Sequence, residues 1–428
     1  MAVAPEAAAP PRDGRTLGAP DLAFISCYWL AYNLQWGALL AIVLPSQVAA
    51  IVGPERKEFW TGLVLGLGAA LSLVITPLAG ALSDRSTSRF GRRRPFLVAG
   101  TLAAVAALAW MAGFGPGGSV AGFIAAYLAV QLASNWAGGP YAGLIPDLVP
   151  PHQRGAASGW MALMTALGTL AGALMAGQLV RPGHYGAMYA VIGAGLLAMM
   201  ALTVIGVRER PLPRAAARPT VRESLRDFFP DQRRHRDFYW VLGTRALVTM
   251  GIYSVFTFFQ YFLGDVVGVA RPEEQASFLI GIIIATGIPT SLVAGALSDR
   301  WGRKPLVYLS GGLMALASIV FIAVAFAPSL AFTFAVGALF GVGYGAYQAV
   351  DWALAVDVLP GGENAAKDMG IWHVALVLPQ VLAPAATGLV LTALKERSLL
   401  TGYTVVFVMT AAWFVLGTIF VQRIRTVR

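Results

Sequence analysis

A single cysteine, Cys27, stands among 428 residues, so no disulfide can form within the chain and no thiolate cluster is available for zinc or an iron–sulfur centre. Cys27 lies inside a long apolar run, where a thiol reads as a small packing group. Charge is also scarce. Asp, Glu, Lys and Arg make up 12% of the residues against 57% hydrophobic, about half the roughly 25% charged share of soluble domains, and the mean hydropathy is +0.68. Such a chain cannot cover itself in water, which excludes a soluble globular protein. Histidines number four, and no Ser/His/Asp arrangement, phosphate-binding glycine loop or metal-ligand spacing occurs, so no enzyme activity, metal or cofactor is expected. Residues 1–20 lack the charged start and apolar core of a signal peptide and read as a disordered tail.

What is present is a series of long apolar runs, each long enough for a hydrocarbon core of about 30 Å. Twelve fall at 22–46, 59–83, 96–115, 119–145, 156–180, 186–207, 238–264, 276–298, 305–327, 329–357, 368–393 and 400–422. The expected fold is an all-α membrane protein of twelve transmembrane helices in two pseudo-symmetric six-helix bundles. The expected division is a tail at 1–20, a bundle at 21–207, a linker at 208–237 and a second bundle at 238–428. The net charge of +10 is an orientation signal. Of 31 Lys and Arg, the N-terminus, even-numbered loops, linker and C-terminus hold 24; the other side holds Arg56, Lys57, Arg181, Arg271, Lys395 and Arg397, and Arg245 falls inside the seventh run. Cytoplasmic loops are enriched in Lys and Arg. Both termini are therefore expected in the cytoplasm, in a multi-pass protein of a bacterial inner (plasma) membrane, with no nucleic-acid partner and a monomeric state. The linker carries nine arginines, and its TVRESLRDFF segment would place Val221, Leu225, Phe228 and Phe229 on one face of a surface helix, or serve as a plain tether.

The chain repeats itself. GALSDRSTSRFGRRRP at Gly80–Pro95 returns as GALSDRWGRKP at Gly295–Pro305, and the anchoring Asp84 and Asp299 lie 215 residues apart. Asp147-Leu-Val-Pro, followed by Arg154 and Gly159, returns as Asp357-Val-Leu-Pro, followed by Lys367 and Gly370. Parallel six-span halves are a build in which the substrate path lies between the halves. Asp84, Arg85 and Arg92, with Asp299, Arg300 and Arg303, are candidate gating residues, since acids at helix ends beside arginines can hold two bundles together in one state and release them in the other. Plain topological anchoring by the arginines is the alternative.

Ionisable groups within spans are costly and usually functional. The first half places only amides there: Asn33, Gln35, Gln47, Gln131 and Asn135. The second half places Arg245, Gln260, Gln348, Asp351, His373 and Gln380. Arg245 and Asp351 each lie about two turns from the cytoplasmic ends of their spans, so a rise of 1.5 Å per residue sets both roughly 10–12 Å deep, where they could pair. The pair is either a protonation switch or a permanent stitch, and His373 is a rival proton site.

Gly-x-x-x-Asp-Arg-x-Gly-Arg-Lys at 295–304 resembles the signature of the major facilitator superfamily. The longer SDRSTSRFGRRRPF form resembles the loop of plant sucrose transporters and the glycoside-pentoside-hexuronide cation symporters, as do Gln35-Trp36-Gly37 and Leu378-Pro379-Gln380. The resemblance implies sugar transport by alternating access, with a small-molecule substrate and protons as partners in a lipid bilayer. It also has gaps. Where plant sucrose transporters carry an acid and an arginine in the fourth span, this chain has Gln131 and Ala142. Where the sodium-coupled melibiose relatives use acids within the second and fourth spans, it has Glu58, Asp84 and Asp147 only at span ends. Proton coupling must then run through Asp351 or His373, or the protein is a facilitator.

Sugars need aromatic faces and amide or carboxylate groups in a largely apolar cavity. Gln35, Trp36, Asn135, Tyr141, Tyr253, Gln260, Tyr347, Gln348, Asp351, Trp352 and Gln380 supply that mixture, although aromatics in membrane helices also pack or sit at the interface. Three readings stay open: a proton symporter for a neutral glycoside or disaccharide such as sucrose or maltose; a facilitator, exporter or antiporter for another small organic molecule; and a non-transporting receptor on the same frame.

Overall fold

The computed structural model describes residues 16–150, 153–181, 184–207, 209, 235–358, 365–395 and 397–425. The first half comprises α1 (Ala19–Val52), α2 (Lys57–Asp84), α3 (Arg94–Ala112), α4 (Val120–Leu148), α5 (Arg154–Leu179) and α6 (Gly186–Gly206). In the second half α7 runs from Arg236–Phe256 into Phe259–Val267 through a 40° bend. It is followed by α8 (Pro272–Trp301), α9 (Arg303–Phe326), α10 (Leu330–Val358), α11 (Ala365–Lys395) and α12 (Leu399–Phe420). Eleven of these are long and apolar enough to cross a membrane singly, and the bent α7 makes a twelfth. The proposed surface helix at 220–229 lies outside the described residues. Helix α1 passes the expected end near 46 and stops at Val52. A π-helical turn at Leu39–Val43 carries it past Pro45, and Gly53, at φ +78°, ends it.

Each half has its own apolar core. Tyr28, Ile42, Phe123, Tyr127 and Ile192 centre the first; in the second, Phe262 meets the edge of Phe407 at 5.1 Å and Phe321 stacks on Phe407 at 5.3 Å. Helices in lipid gain little from sequestering apolar groups and associate through close packing of small residues. The repeat uses this device twice. Gly168 and Gly172 of α5 press on the Leu30 and Leu34 carbonyls of α1, and Gly341 and Gly345 of α10 press on the Ile283 and Gly287 carbonyls of α8. The halves meet through similar approaches: a Cβ on Gly62 of α2 would sit 2.5 Å from the Pro384 carbonyl of α11, and one on Gly388 of α11 2.6 Å from the Glu58 carbonyl.

The two repeated hairpins also share a backbone conformation. Gly91 at φ +98° and Gly302 at φ +90° turn the chain from one helix into the next, a region that side-chain-bearing residues avoid. Gly91 has a second constraint, because a Cβ there would fall 2.6 Å from Glu209.

Candidate functional site

The polar interior of the second half is built on α7, α10 and α11. About two and a half turns into α7, Arg245 forms an ion pair with Asp351 of α10, and the two are 7% and 3% exposed. Tyr347, one turn before Asp351, donates its hydroxyl to the other carboxylate oxygen at 3.0 Å. The Arg245 charge also reaches Tyr253 and Tyr344. Gln380 of α11 donates Nε2 to the Tyr253 hydroxyl at 2.7 Å, and the exposed Gln348 reaches the Tyr344 hydroxyl at 3.3 Å. Arg245, Tyr253, Tyr347, Gln348, Asp351 and Gln380 thus form one neighbourhood of rings, amides and a charge pair. The side chains of Trp352, His373 and Asp299 lie outside those described.

In mid-span the first half buries neutral polar groups that bond to one another, its buried Lys57, Glu58 and Arg93 lying at span ends. Gln35 of α1 and Ser134 of α4 exchange hydrogen bonds at 2.9 and 3.2 Å. Asn135 donates to Gln131 Oε1 at 2.9 Å and accepts from Thr76 at 3.0 Å and Tyr32 at 3.3 Å, while Gln131 donates to the Tyr127 hydroxyl at 2.7 Å. Trp36 is half-buried, edge-on to Tyr32 at 6.0 Å. Tyr141 is committed to packing: its hydroxyl donates to the Ile25 carbonyl at 2.6 Å and its ring meets Tyr28 at 4.9 Å.

Gln260 lies apart from these groups. It sits beyond the bend of α7, at the end of the molecule opposite the arginine hairpins, where hydrogen bonds join the halves. There Lys57 pairs with Asp265 at 2.5 Å, Lys395 with the buried Glu58 at 3.0 Å, and Ser46 donates to Glu273 at 2.9 Å. Thr61 and Tyr261 share a bond at 2.7 Å, and the Tyr261 hydroxyl also reaches the Pro45 carbonyl at 2.7 Å.

The arginine hairpins are arranged differently. Arg93 reaches Asp84 at 2.5 Å and Asp147 at 3.0 Å, Arg92 pairs with Asp147 and approaches Asp84 at 3.9 Å, and Arg93 also bonds Ser83. All of these contacts lie within the first half. Arg303 repeats the last of them on Ser298 within the second half, and Arg85 and Arg300 are exposed. Glu209, at the start of the linker, accepts the amides of Arg93 at 2.7 Å and Arg94 at 3.1 Å, closing the first turn of α3. Burial pushes its carboxyl above the usual range, against the opposing pull of those amides and the two arginine charges. Ion pairs and hydrogen bonds between the halves gather at the arginine-poor end, where they form a latch.

The sequence pattern of the Major Facilitator Superfamily matches residues 24–384. The chain belongs to that superfamily. Sucrose transport protein SUC4 of Arabidopsis thaliana is 23% identical over 427 residues, covering 84% of this chain and 82% of the plant protein. Among solved structures, a bacterial homologue of the human lysosomal transporter Spinster in an inward-facing, occupied conformation aligns with a TM-score of 0.71 at 16% identity, over 94% of this chain and 96% of that one. A D-xylose-proton symporter aligns with a TM-score of 0.70 at 16% identity, over 95% and 97%. These likenesses in structure establish the fold of this major facilitator protein. The latch of Lys57, Asp265, Glu58 and Lys395 was not anticipated from its sequence. Its signal was complementary charge at span ends on a side otherwise poor in charge.

Proposed function

We propose that this superfamily member is a secondary active transporter that moves a neutral sugar, a glycoside or disaccharide such as sucrose or maltose, in symport with protons by alternating access. The observation that carries the reading is the buried Arg245–Asp351 pair beside Tyr253, Tyr347 and Gln380. Rings and amides suit a pyranose, and a full charge pair inside a membrane span is costly unless it works. The likeness to SUC4 and to the D-xylose-proton symporter supports the same substrate class. In the proposed cycle Asp351 is ionised and bound to Arg245 in one state. A proton on its carboxyl cancels that attraction and allows the halves to rock, because a ligand shifts an equilibrium by its differential affinity for the two states.

With the arginine-rich side taken as cytoplasmic, the latched end faces outward and the structure is the inward-facing state. The Asp84 and Asp299 hairpins would then engage across the halves in the opposite state. The transporter is proposed to work as a monomer in the plasma membrane, with both termini in the cytoplasm. A second reading, a facilitator, is favoured by one fact: both partners of the ion pair lie in the same half, where they could serve as a permanent stitch. Uptake of radiolabelled sucrose, maltose and glucose into vesicles containing the purified protein, with and without an inward proton gradient, separates the two. Accumulation above equilibrium that Asp351→Asn abolishes is the expected result. Accumulation surviving in Asp351→Asn would remove the coupling role, and movement of no sugar would remove the sugar reading.

A further inference from the structure

At the latched end a crevice of about 420 Å³ runs between the halves, lined by Ser46 and Lys57 of the first half and by Gln260, Tyr261, Asp265 and Glu273 of the second. Its size falls within the roughly 300–1,000 Å³ of small-molecule sites. None of Arg245, Tyr347, Asp351 and Gln380 lines it. We propose that this crevice is an outer subsite for a neutral polyhydroxylated solute, distinct from the Arg245–Asp351 neighbourhood and complete only while the outer end is closed.

The first support is Gln260. The residue is 3% exposed, its Oε1 has no hydrogen-bond partner, and its Nε2 has only a long 3.4 Å contact to Glu273 Oε1. Buried amides are nearly always satisfied, and an orphaned acceptor is costly. Turning the amide toward the crevice that the residue lines would let a donor from a solute satisfy it.

The charges supply the second support. Lys57 and Asp265 neutralise each other, as do Glu58 and Lys395. Glu273 faces the Ser46 hydroxyl and the Gln260 amide, with no Lys or Arg in ion-pair contact among the described residues. The crevice therefore offers acceptors on Glu273 and Gln260 together with donors on Lys57 and the Gln260 amide. Hydroxyl groups both donate and accept, so adjacent hydroxyls of a sugar match this set. An organic ammonium ion would use only the acceptors and leave the donors of Lys57, which lies 4.6 Å above the Tyr261 ring across the crevice, and of the Gln260 amide unmatched.

Both halves contribute walls, so occupancy from outside would favour the outward-closed conformation and slow the return of the empty carrier. The subsite rests on the sugar reading above and extends it to a second place on the path.

The sole cysteine is buried, which makes a direct test practical. In a Cys27→Ser background, Ala270→Cys, on the crevice wall, is labelled from outside in oriented vesicles with a membrane-impermeant thiol reagent. A transported sugar at twice its dissociation constant should slow labelling about threefold. Gln260→Leu should remove that protection, and Asp351→Asn should leave it. Ala49→Cys, on the opposite wall, is the second reporter if the first folds poorly. Unchanged labelling at both positions by a sugar that the same vesicles transport overturns the subsite and leaves the transport reading intact. Protection by choline in place of sugar also overturns it. If no sugar moves and none protects, both readings fall together.

Discussion

In the first half, Gln35, Gln131, Ser134 and Asn135 satisfy one another and the hydroxyls of Tyr127, Tyr32 and Thr76, whereas the second half buries the charges of Arg245 and Asp351. Both halves share the glycine-on-carbonyl packing of paired helices and the same hairpin backbone. The frame is therefore satisfied without an ion pair in mid-span, since the first half keeps its paired charges, Lys57, Glu58 and Arg93, at span ends. Neutral polar contacts in membrane proteins contribute about 0.6 kcal/mol on average, while removing one partner of a buried ion pair costs about 3–5 kcal/mol. The duplicated frame tolerates the second interior, and its stability does not explain it.

The harshest way to break this contrast is Arg245→Leu, which strands Asp351 and should destabilise the protein by about 3–5 kcal/mol in thermal unfolding in detergent. The pair Arg245→Leu with Asp351→Leu should recover most of that loss while gradient-driven accumulation stays absent. A double variant that still accumulates sugar would make the second half as inert as the first.

A smaller effect tests where the halves meet. Gly62→Val cannot approach Pro384, so the outer end should fail to close, and the yield of a disulfide between Ser46→Cys and Glu273→Cys should fall as the closed-to-open ratio drops about tenfold for each 1.4 kcal/mol of shift. The within-half variant Gly168→Ala should lower the melting temperature and leave that yield unchanged.

Much of this architecture is legible in one dimension. Hydropathy locates spans because the requirement to cover backbone in lipid acts locally, and the equal depths of Arg245 and Asp351 follow from helical rise alone. The latch was hidden, since Lys57 and Asp265 lie 208 residues apart and Lys395 and Glu58 337, and only the register between helices of different halves unites them. Gln260 shows the same limit from the other side. Grouped by span with Tyr253, it is carried by the bend in α7 to the outer crevice. Tyr141 could pass for a ligand group only while its bond to the Ile25 carbonyl was unknown.

The neutral interior offers a milder test. Asn135→Ala removes bonds to Gln131, Thr76 and Tyr32 and should cost about 1–3 kcal/mol, with the pH profile of uptake unchanged. A shifted profile would move part of the coupling into the first half.

The smallest effect is expected at Glu209. Its carboxyl is raised by burial, so ionising it costs the folded state. That cost is absent below the ordinary carboxylate range and grows as pH rises through the raised folded value. The melting temperature of the wild type should therefore decline slightly over that window relative to Glu209→Gln. Parallel curves would show that the linker's first acid adds no asymmetry between the halves.

Helix α1 and its counterpart α7 each contain a π-helical turn, at Leu39–Val43 and Leu263–Val267. Such a turn accommodates one residue more than an α turn and so rotates everything beyond it by about 100°. Below the turn, Gly37 faces Thr169 of its own bundle; above it, Pro45 and Ser46 face Tyr261 and Glu273 of the other. A single rod thereby packs within its own bundle below the turn and, above it, adds contacts to the other half while Gln47 keeps its bonds at home.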